Sequence, residues 1–324
     1  MIPFPMIKPD ISVIMPVLNA EEYISEAINS ILNQTFENFE FIVIDDGSSD
    51  SSVEIIRNFH DPRIRLFENS SGGISQQLNY GIDNAGAEII ARMDADDISL
   101  PERFEIQYDY LTKNKSVDLV GTNIALINKN GVRVGNKYFP QNNIDIEFMM
   151  PILSSVCHAS ILTYKTVINK AGLYCKEHLY AEDLDLFLRM FSAGVKMHNI
   201  QKILYSYRIY NDDNDLTKSI IQDNSSYILG SGYLIKSNPD VNSFEYLYRT
   251  GLLEYYRGNI SLAKKKLWAA LKICPKKIIT VFRYLLVSLL GDKIVKKMRK
   301  IGIPQKFSFL ISKYLKLDLN TIWK

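Results

Sequence analysis

Apolar and polar positions follow two rhythms over the first hundred residues. "ISVIMPV" (11–17), "FEFIVID" (39–45), "RIRLFE" (63–68) and "EIIARMD" (88–94) are short β-rich runs bounded by turn residues. Between them, "AEEYISEAINSILNQ" (20–34) places Tyr23, Ile24, Ala27, Ile28 and Ile31 at helical spacing, and "SDSSVEIIRNF" (49–59) opens on capping residues before a helical run. A third helical stretch covers 74–85. Strands alternating with helices predict βαβ units, hence an α/β fold with a mostly parallel, Rossmann-like sheet and flanking helices. Ligands in such sheets bind beyond the carboxyl ends of the strands. The acids gather there: Asp45 and Asp46 end the second strand, and Asp94, Asp96 and Asp97 follow the fourth.

The pattern then changes twice. Residues 117–140 are strand-rich, with "NKNG" (128–131) as a hairpin turn. "DLDLFLRMFSAG" (183–194) predicts a helix that ends at Gly194, followed by strands near 195–209. Beyond about residue 220 the chain reads as wholly helical. "FEYLYRTGLLEYYRGNISLAKKKLWAALKICP" (244–275) pairs two amphipathic segments around "RGN", somewhat like one tetratricopeptide unit. The division predicted is an α/β domain over 1–219 and a basic α-helical region over 220–324.

Charge sharpens that division. Residues 260–324 carry 16 Lys and Arg against Asp292 and Asp318, a balance of +14, while 1–259 stand at −12 within an overall +2. Two units with different partners are implied. Three cysteines without metal spacing point to reduced thiols, and "MIPFPMIKPD" lacks the basic start and apolar core of a signal peptide, so a cytoplasmic location is expected. The stretch "IITVFRYLLVSLL" (278–290) contains an arginine and falls short of the ~20 apolar residues needed to span a bilayer.

Candidate chemistry lies in three constellations. In "MDADD" (93–97), Asp94 and Asp96 are one residue apart, so both can face one side of an extended loop. Hard oxygen ligands at that spacing suit Mn²⁺ or Mg²⁺ on a substrate phosphate. The plainer reading is helix capping, with Asp97 or Ser99 capping a helix whose first turn is "PERF" (101–104). In "IDDGSSD" (44–50) a strand-end carboxylate can accept from a base or ribose, or Ser49 or Asp50 can simply cap the next helix. In "YAEDLDLFLRM" (180–190), Glu182 and Asp183 open a helix whose dipole favours them, and a carboxylate near a nucleotide could serve as general base.

In this order, behind "SVIMPVLNAEEYISEAINSILNQTF" (12–36), these motifs resemble the family 2 glycosyltransferases of the GT-A fold, notably bacterial enzymes of capsule, O-antigen and exopolysaccharide assembly. The resemblance covers about residues 10–210. It implies that Pro16 and Asn19 line the nucleotide pocket, Asp46 contacts the base, Asp94 approaches the ribose and Asp96 holds the metal. It makes Asp183 the catalytic base, with Glu182 beside it. "CHASILTYK" (157–165) is similar to the segment beside the acceptor pocket, which makes His158 an acceptor-side candidate. "YSYRIY" (205–210) suggests phosphate binding by Arg208. Three positions depart from the pattern: Leu18 replaces an aromatic that stacks on uracil, Leu78 a basic residue, and Tyr210 a histidine.

The resemblance implies an inverting transfer from a nucleotide-diphospho-sugar, with UDP the first choice of nucleotide, to a hydroxyl of a saccharide or lipid-linked acceptor. Mn²⁺ or Mg²⁺ would be the cofactor. The basic tail "WAALKICPKKIITVFRYLLVSLLGDKIVKKMRKIG" (268–302) suggests peripheral contact with an anionic membrane at its inner face, or else a solvated face of a helical core. No aromatic-basic motif for nucleic acid accompanies it. Two rivals belong to other classes. A sugar-nucleotide pyrophosphorylase needs a Gly-rich basic loop after the first strand, which "PVLNAEEY" (16–23) lacks, and a non-catalytic scaffold working through its C-terminal helices predicts a degraded acidic set.

Overall fold

The computed structural model describes residues 8–69, 72–178, 180–210, 216–237 and 240–275. These fall into two compact units, one within Met1–Met150 and Ser154–Ser225, the other within Pro151–Leu153 and Ser226–Lys324.

The first unit opens with the expected alternation. It runs β1 (Ile11–Val17), α1 (Ile24–Leu32), β2 (Phe39–Asp45), α2 (Ser52–Arg57), β3 (Ile64–Glu68), α3 (Ile74–Asn84) and β4 (Ile89–Arg92). After these come β5 (Ile98–Ser99), α4 (Arg103–Lys113), β6 (Leu119–Ile127), β7 (Arg133–Lys137), α5 (Asn143–Met149), β8 (Leu162–Tyr164), α6 (Lys165–Lys170), α7 (Glu182–Ser192) and β9 (Met197–Arg208). One sheet orders the strands β3-β2-β1-β4-β8-β6-β9-β5, with β7 paired to β6. Its first four strands are parallel, as the βαβ pattern predicts. Beyond β4 the sheet is mixed: β8 runs antiparallel to β4 and to β6, while β6 and β9 are parallel.

The apolar spacing of α1 does what it predicts. Ile24, Ala27, Ile28 and Ile31 are fully buried and join Val13, Met15, Phe41, Val43 and Phe104 in one core. Tyr23 leaves this face, because the helix starts only after a turn in which the Ala20 carbonyl accepts from the Tyr23 and Ile24 amides. The hairpin at 128–131 is present: the Asn128 carboxamide accepts from the Asn130 and Val132 amides, and β6 pairs β7 around it. At the end of α7, Gly194 takes φ 81°, and the Val195 amide reaches back to the Met190 carbonyl. A Cβ is disfavoured in that conformation, so the helix stops there.

Capping at Ser99 is not what forms. Ser99 belongs to β5, pairs with Tyr205, and its hydroxyl accepts from Gln34; α4 starts at Arg103, with Glu102 as N-cap. The two-residue β5 had no sequence signal, since it exists only through its distant partner strand, Ile98 pairing with Ser206 and Ser99 with Tyr205. Likewise the N-cap of α2 is Ser51 rather than Ser49 or Asp50, and the Asp50 carboxylate accepts from the Ser52 amide and from the Glu21 amide.

The second unit is built from helices α8 (Leu216–Ser237), α9 (Phe244–Arg257) and α10 (Ile260–Ile273), the division from the first unit falling within α8. Ser243 caps α9 by accepting from the Tyr246 amide. At Gly251 the helices come so close that an added Cβ would meet Leu267 Cγ at 2.9 Å. Glu254, only 1% exposed, is held by the Tyr227 hydroxyl at 2.9 Å, the Asn259 carboxamide at 3.0 Å and the Lys266 ammonium at 3.1 Å. Among the described residues no helix is long and apolar enough to cross a membrane. Most of the basic stretch at 268–302 lies outside the described residues.

Candidate active site

The acids of the strand ends meet where the topology brings the carboxyl ends of β1, β2 and β4 together. Asp94, Asp96 and Asp97 each offer a carboxylate oxygen within 4.8 Å of the others. Burial pushes the Asp97 carboxyl well above the ordinary carboxylate range, and Asp94 and Asp96 push it further; burial and Asp94 raise Asp96 as well. Like charges this close resist joint ionisation without a counter-charge. Asp97 Oδ2 is buried and has no hydrogen-bond partner. Three hard oxygen donors, one of them orphaned, fit a divalent cation such as Mn²⁺ or Mg²⁺.

Three devices hold the loop. The Arg208 amide donates to Asp97 Oδ1 at 2.6 Å, and the Tyr210 hydroxyl donates to Asp96 Oδ2 at 2.8 Å. Arg92, at the end of β4, forms an ion pair with Asp94, and the Asp94 amide donates to the Tyr205 hydroxyl at 3.2 Å. Underneath, the fully buried Arg103 donates to the Arg92 carbonyl at 2.8 Å and to Gln107 at 2.9 Å. Gln107 in turn reaches the Ser160 carbonyl at 2.8 Å. The strand end is thus fixed to α4 and to the segment before β8.

The resemblance suggests that Arg208 is a phosphate ligand; in the structure most of its guanidinium N–H groups are engaged within the protein. Nε donates to the Asp96 carbonyl at 2.6 Å, Nη1 to the carbonyls of Asn128 and Lys129, and Nη2 to Glu26 at 2.6 Å. It also lies over the Tyr23 ring, 4.2 Å from the centroid. Such a side chain, 3% exposed, acts as a bracket for the acidic loop.

On the nucleotide side, Asn19 stands at φ 50°, a left-handed conformation that asparagine tolerates. Its side chain accepts from the Ser49 amide at 2.9 Å and its own amide donates to Ser48 Oγ at 2.9 Å, so the loops after β1 and β2 are tied together. Pro16 is half-buried in β1 opposite Ile44, and Leu18 just beyond it is 55% exposed. Asp46 is buried and receives the Gly72 and Gly73 amides at 2.7 and 3.1 Å together with the Gln77 side chain. A carboxylate offers about four lone-pair positions, so one remains on Asp46 for a ligand.

On the far side stand His158, Glu182 and Asp183. Asp183 lies in the first turn of α7 and accepts from the Leu184 amide at 2.7 Å. Burial lifts its carboxyl above the usual range; Glu182 is lifted by burial and by Asp183. The residue before this pair but one, Tyr180, takes φ 61°, a strained conformation for a side chain of this size. His158 shares a 2.7 Å hydrogen bond with the Tyr174 hydroxyl, and burial, with Arg92 nearby, keeps it well below its ordinary value and neutral. Asp185 is occupied: Arg189 grips it at 2.9 and 2.6 Å. Asp183 is the freer carboxylate of the helix.

Arg92 joins these groups. Its guanidinium is within electrostatic reach of Asp94, Asp96, His158, Glu182 and Asp183. Sequence reasoning passed over it, although an arginine inside the apolar run "IIARMD" was a readable signal. Tyr23 and Tyr205 were missed for a different reason. Nothing local distinguishes them from the chain's other tyrosines.

Comparison with known proteins agrees with this arrangement. The sequence profile of Glycosyl transferase family 2 matches residues 12–171. The O-antigen biosynthesis glycosyltransferase WbnJ of Escherichia coli is 35% identical over 226 residues, covering 68% of this chain and 87% of that protein. The putative glycosyltransferase EpsE of Bacillus subtilis is 33% identical over 218 residues, or 65% and 76% of the two chains. Among solved structures, S. aureus TarS (residues 1–349) in complex with UDP-GlcNAc aligns with a TM-score of 0.60 at 15% identity, covering 90% of this chain and 92% of that one. The mannosyltransferase PcManGT of Pyrobaculum calidifontis, in complex with GDP-Man and Mn²⁺, aligns with a TM-score of 0.56 at 17% identity, covering 90% and 88%. At these identities the structural likeness establishes the fold. With the acidic loop, the helix-borne Asp183 and close relatives all in one direction, the chain belongs to glycosyltransferase family 2, and is a transferase of the GT-A fold.

Proposed function

We propose that this enzyme is an inverting glycosyltransferase that uses a nucleotide-diphospho-sugar and glycosylates a hydroxyl of a saccharide or lipid-linked acceptor in surface polysaccharide assembly. The observation that carries the reading is one buried arginine, Arg92, ion-paired to Asp94 of the acidic loop and within electrostatic reach of Glu182 and Asp183. A divalent cation held by Asp94, Asp96 and Asp97 would screen the diphosphate and stabilise its departure. Asp46 and the tied loops at Asn19 and Ser48 form the nucleotide side. Asp183 takes the proton of the acceptor hydroxyl as that oxygen attacks the anomeric carbon from the face opposite the leaving diphosphate. One displacement inverts the configuration. His158 is neutral and hydrogen-bonded, suited to orient an acceptor rather than carry charge.

Leu18 supplies no stacking ring, and the two structural neighbours hold different nucleotides. The acceptor class is supported by the O-antigen relative. A peripheral position at the inner face of an anionic membrane rests on the charge of 260–324 alone; liposome co-sedimentation at low and high salt tests it.

The direct test is calorimetry with UDP, GDP and dTDP in the presence and absence of Mn²⁺. Asp96→Ala should abolish the metal-dependent part of the affinity, because the cation loses its anchor while the diphosphate keeps its charge. Unchanged metal dependence for the nucleotide that binds would refute the assignment.

A further inference from the structure

Arg92 is 4% exposed and its Nε is enclosed with no hydrogen-bond partner. Its single ion pair among the described residues is with Asp94. A guanidinium has five N–H donors in a fixed fork, so most of this one's capacity is unspent in a place that water scarcely reaches. Leaving a buried donor unmade is costly, and sites built this way discriminate strongly for a ligand that supplies the acceptor.

The position says what that ligand is. On the proposed reading, the diphosphate lies at Asp94–Asp97 and the acceptor hydroxyl at Asp183, so the sugar being transferred occupies the space between them. Arg92 pairs with Asp94 of the first set and lies within electrostatic reach of the second. Its charge is already balanced by Asp94, and Asp96, Glu182 and Asp183 add further negative charge around it. A phosphate dianion gains little at such a spot, whereas neutral hydroxyl or amide-carbonyl oxygens accept hydrogen bonds there without repulsion.

We propose that Arg92 is a sugar-contacting residue, donating from its unspent N–H groups to neutral oxygens of the transferred sugar while Asp94 holds it in place. This rests on the donor and base assignments made above and adds a residue that reads the sugar rather than the nucleotide. Its other duty, ion-pairing to Asp94, predicts a different result, which makes the two separable.

The experiment compares the full chain with Arg92→Lys, which keeps the charge and loses the fork. Calorimetry with Mn²⁺ measures affinity for a panel of UDP-, GDP- and dTDP-sugars and for each bare nucleoside diphosphate. The expected result is a loss of about ten- to a hundredfold for the nucleotide-sugar, with the bare diphosphate unchanged. Equal losses for both would show that Arg92 only organises Asp94 or binds phosphate, and would overturn the proposal. Should the lysine variant fail to fold, Arg92→Gln, which retains one donor group, is read in the same way. The wild type supplies an independent arm: if no nucleotide-sugar binds more tightly than its bare diphosphate, the sugar meets no such donor and the proposal fails. Binding of neither ligand class by the wild type would instead remove the donor assignment itself.

Discussion

Asp183 in the first unit and Glu254 in the second are both carboxylates drawn out of water on helices, and their surroundings move them in opposite directions. Asp183 receives one short bond, from the Leu184 amide, and burial raises it above the ordinary range. Glu254 is also withdrawn from water, at 1% exposed, yet three donors outweigh burial and hold it below that range. Burial raises both carboxyls, and the number of donors that satisfy the charged form decides which way each one finally moves. A carboxylate left short of donors is ready to take a proton. One fully supplied is a structural knot. The first arrangement keeps free energy stored at a reactive place, and the second spends it on joining α9 to α10.

The largest effect that this contrast predicts is on turnover. Asp183→Asn keeps the shape and the bond from Leu184 but cannot take a proton, so transfer should fall about 10²–10⁴-fold while donor affinity is retained. Single-turnover assays with isothermal calorimetry would measure both, and near-normal transfer would move the base elsewhere. The pH profile has a definite sign. Because the folded value is raised, the ionised base is lost as pH falls through a midpoint above the ~3.9 of a free aspartate. The same raised value means that the ionised native state is penalised at neutral pH, so the asparagine variant should be no less stable than wild type there. Thermal unfolding checks this, and a clear drop in stability would mean that Asp183 is structural.

A smaller and opposite effect belongs to Glu254. Glu254→Gln should destabilise the helical unit by about 1–3 kcal/mol, since Lys266 and the other donors lose their charged acceptor. Denaturant unfolding followed by far-UV dichroism reads it, and no change would show the knot to be idle. The smallest effect is the acid limb. Glu254 has a depressed folded value, so its contribution is present above the unfolded glutamate value of ~4.3 and is lost as pH falls through the folded one. In the glutamine variant this limb should vanish.

How much of this was legible in sequence follows from how local each feature is. The strands and helices to residue 94 depend on spacing within a few turns, and they form where they were read, with their ends shifted by a few residues. The acid motifs Asp46, Asp94–Asp97 and Glu182–Asp183 sit at strand ends and a helix start, positions that local pattern locates. What escaped depends on distant partners. β5 forms only against β9; Ser99 is taken by Gln34 and Arg103; and Arg208 is consumed by Glu26, 182 residues earlier. Both the fold class and the acids were thus readable, while the partners of the cationic side chains that hold them were not. An arginine's partner is set by topology, and topology is not written in any ten-residue window.

The bond between the Arg208 amide and Asp97 spans 111 residues of chain. Viewed in time, that span means that the acidic loop is finished late. Contacts of large sequence separation form slowly, because loop closure comes before the contact returns any stability. A nascent chain that has already paired β1 to β4 still lacks β9, and so lacks the clasp on Asp96 and Asp97. In refolding, sheet structure should therefore recover before Mn²⁺-dependent nucleotide binding, and stopped-flow dichroism run beside a fluorescent nucleotide would resolve the lag. Simultaneous recovery would mean that the loop shapes itself. A delay would mean that the half-made enzyme cannot hold its substrate until the strand that closes the site has arrived.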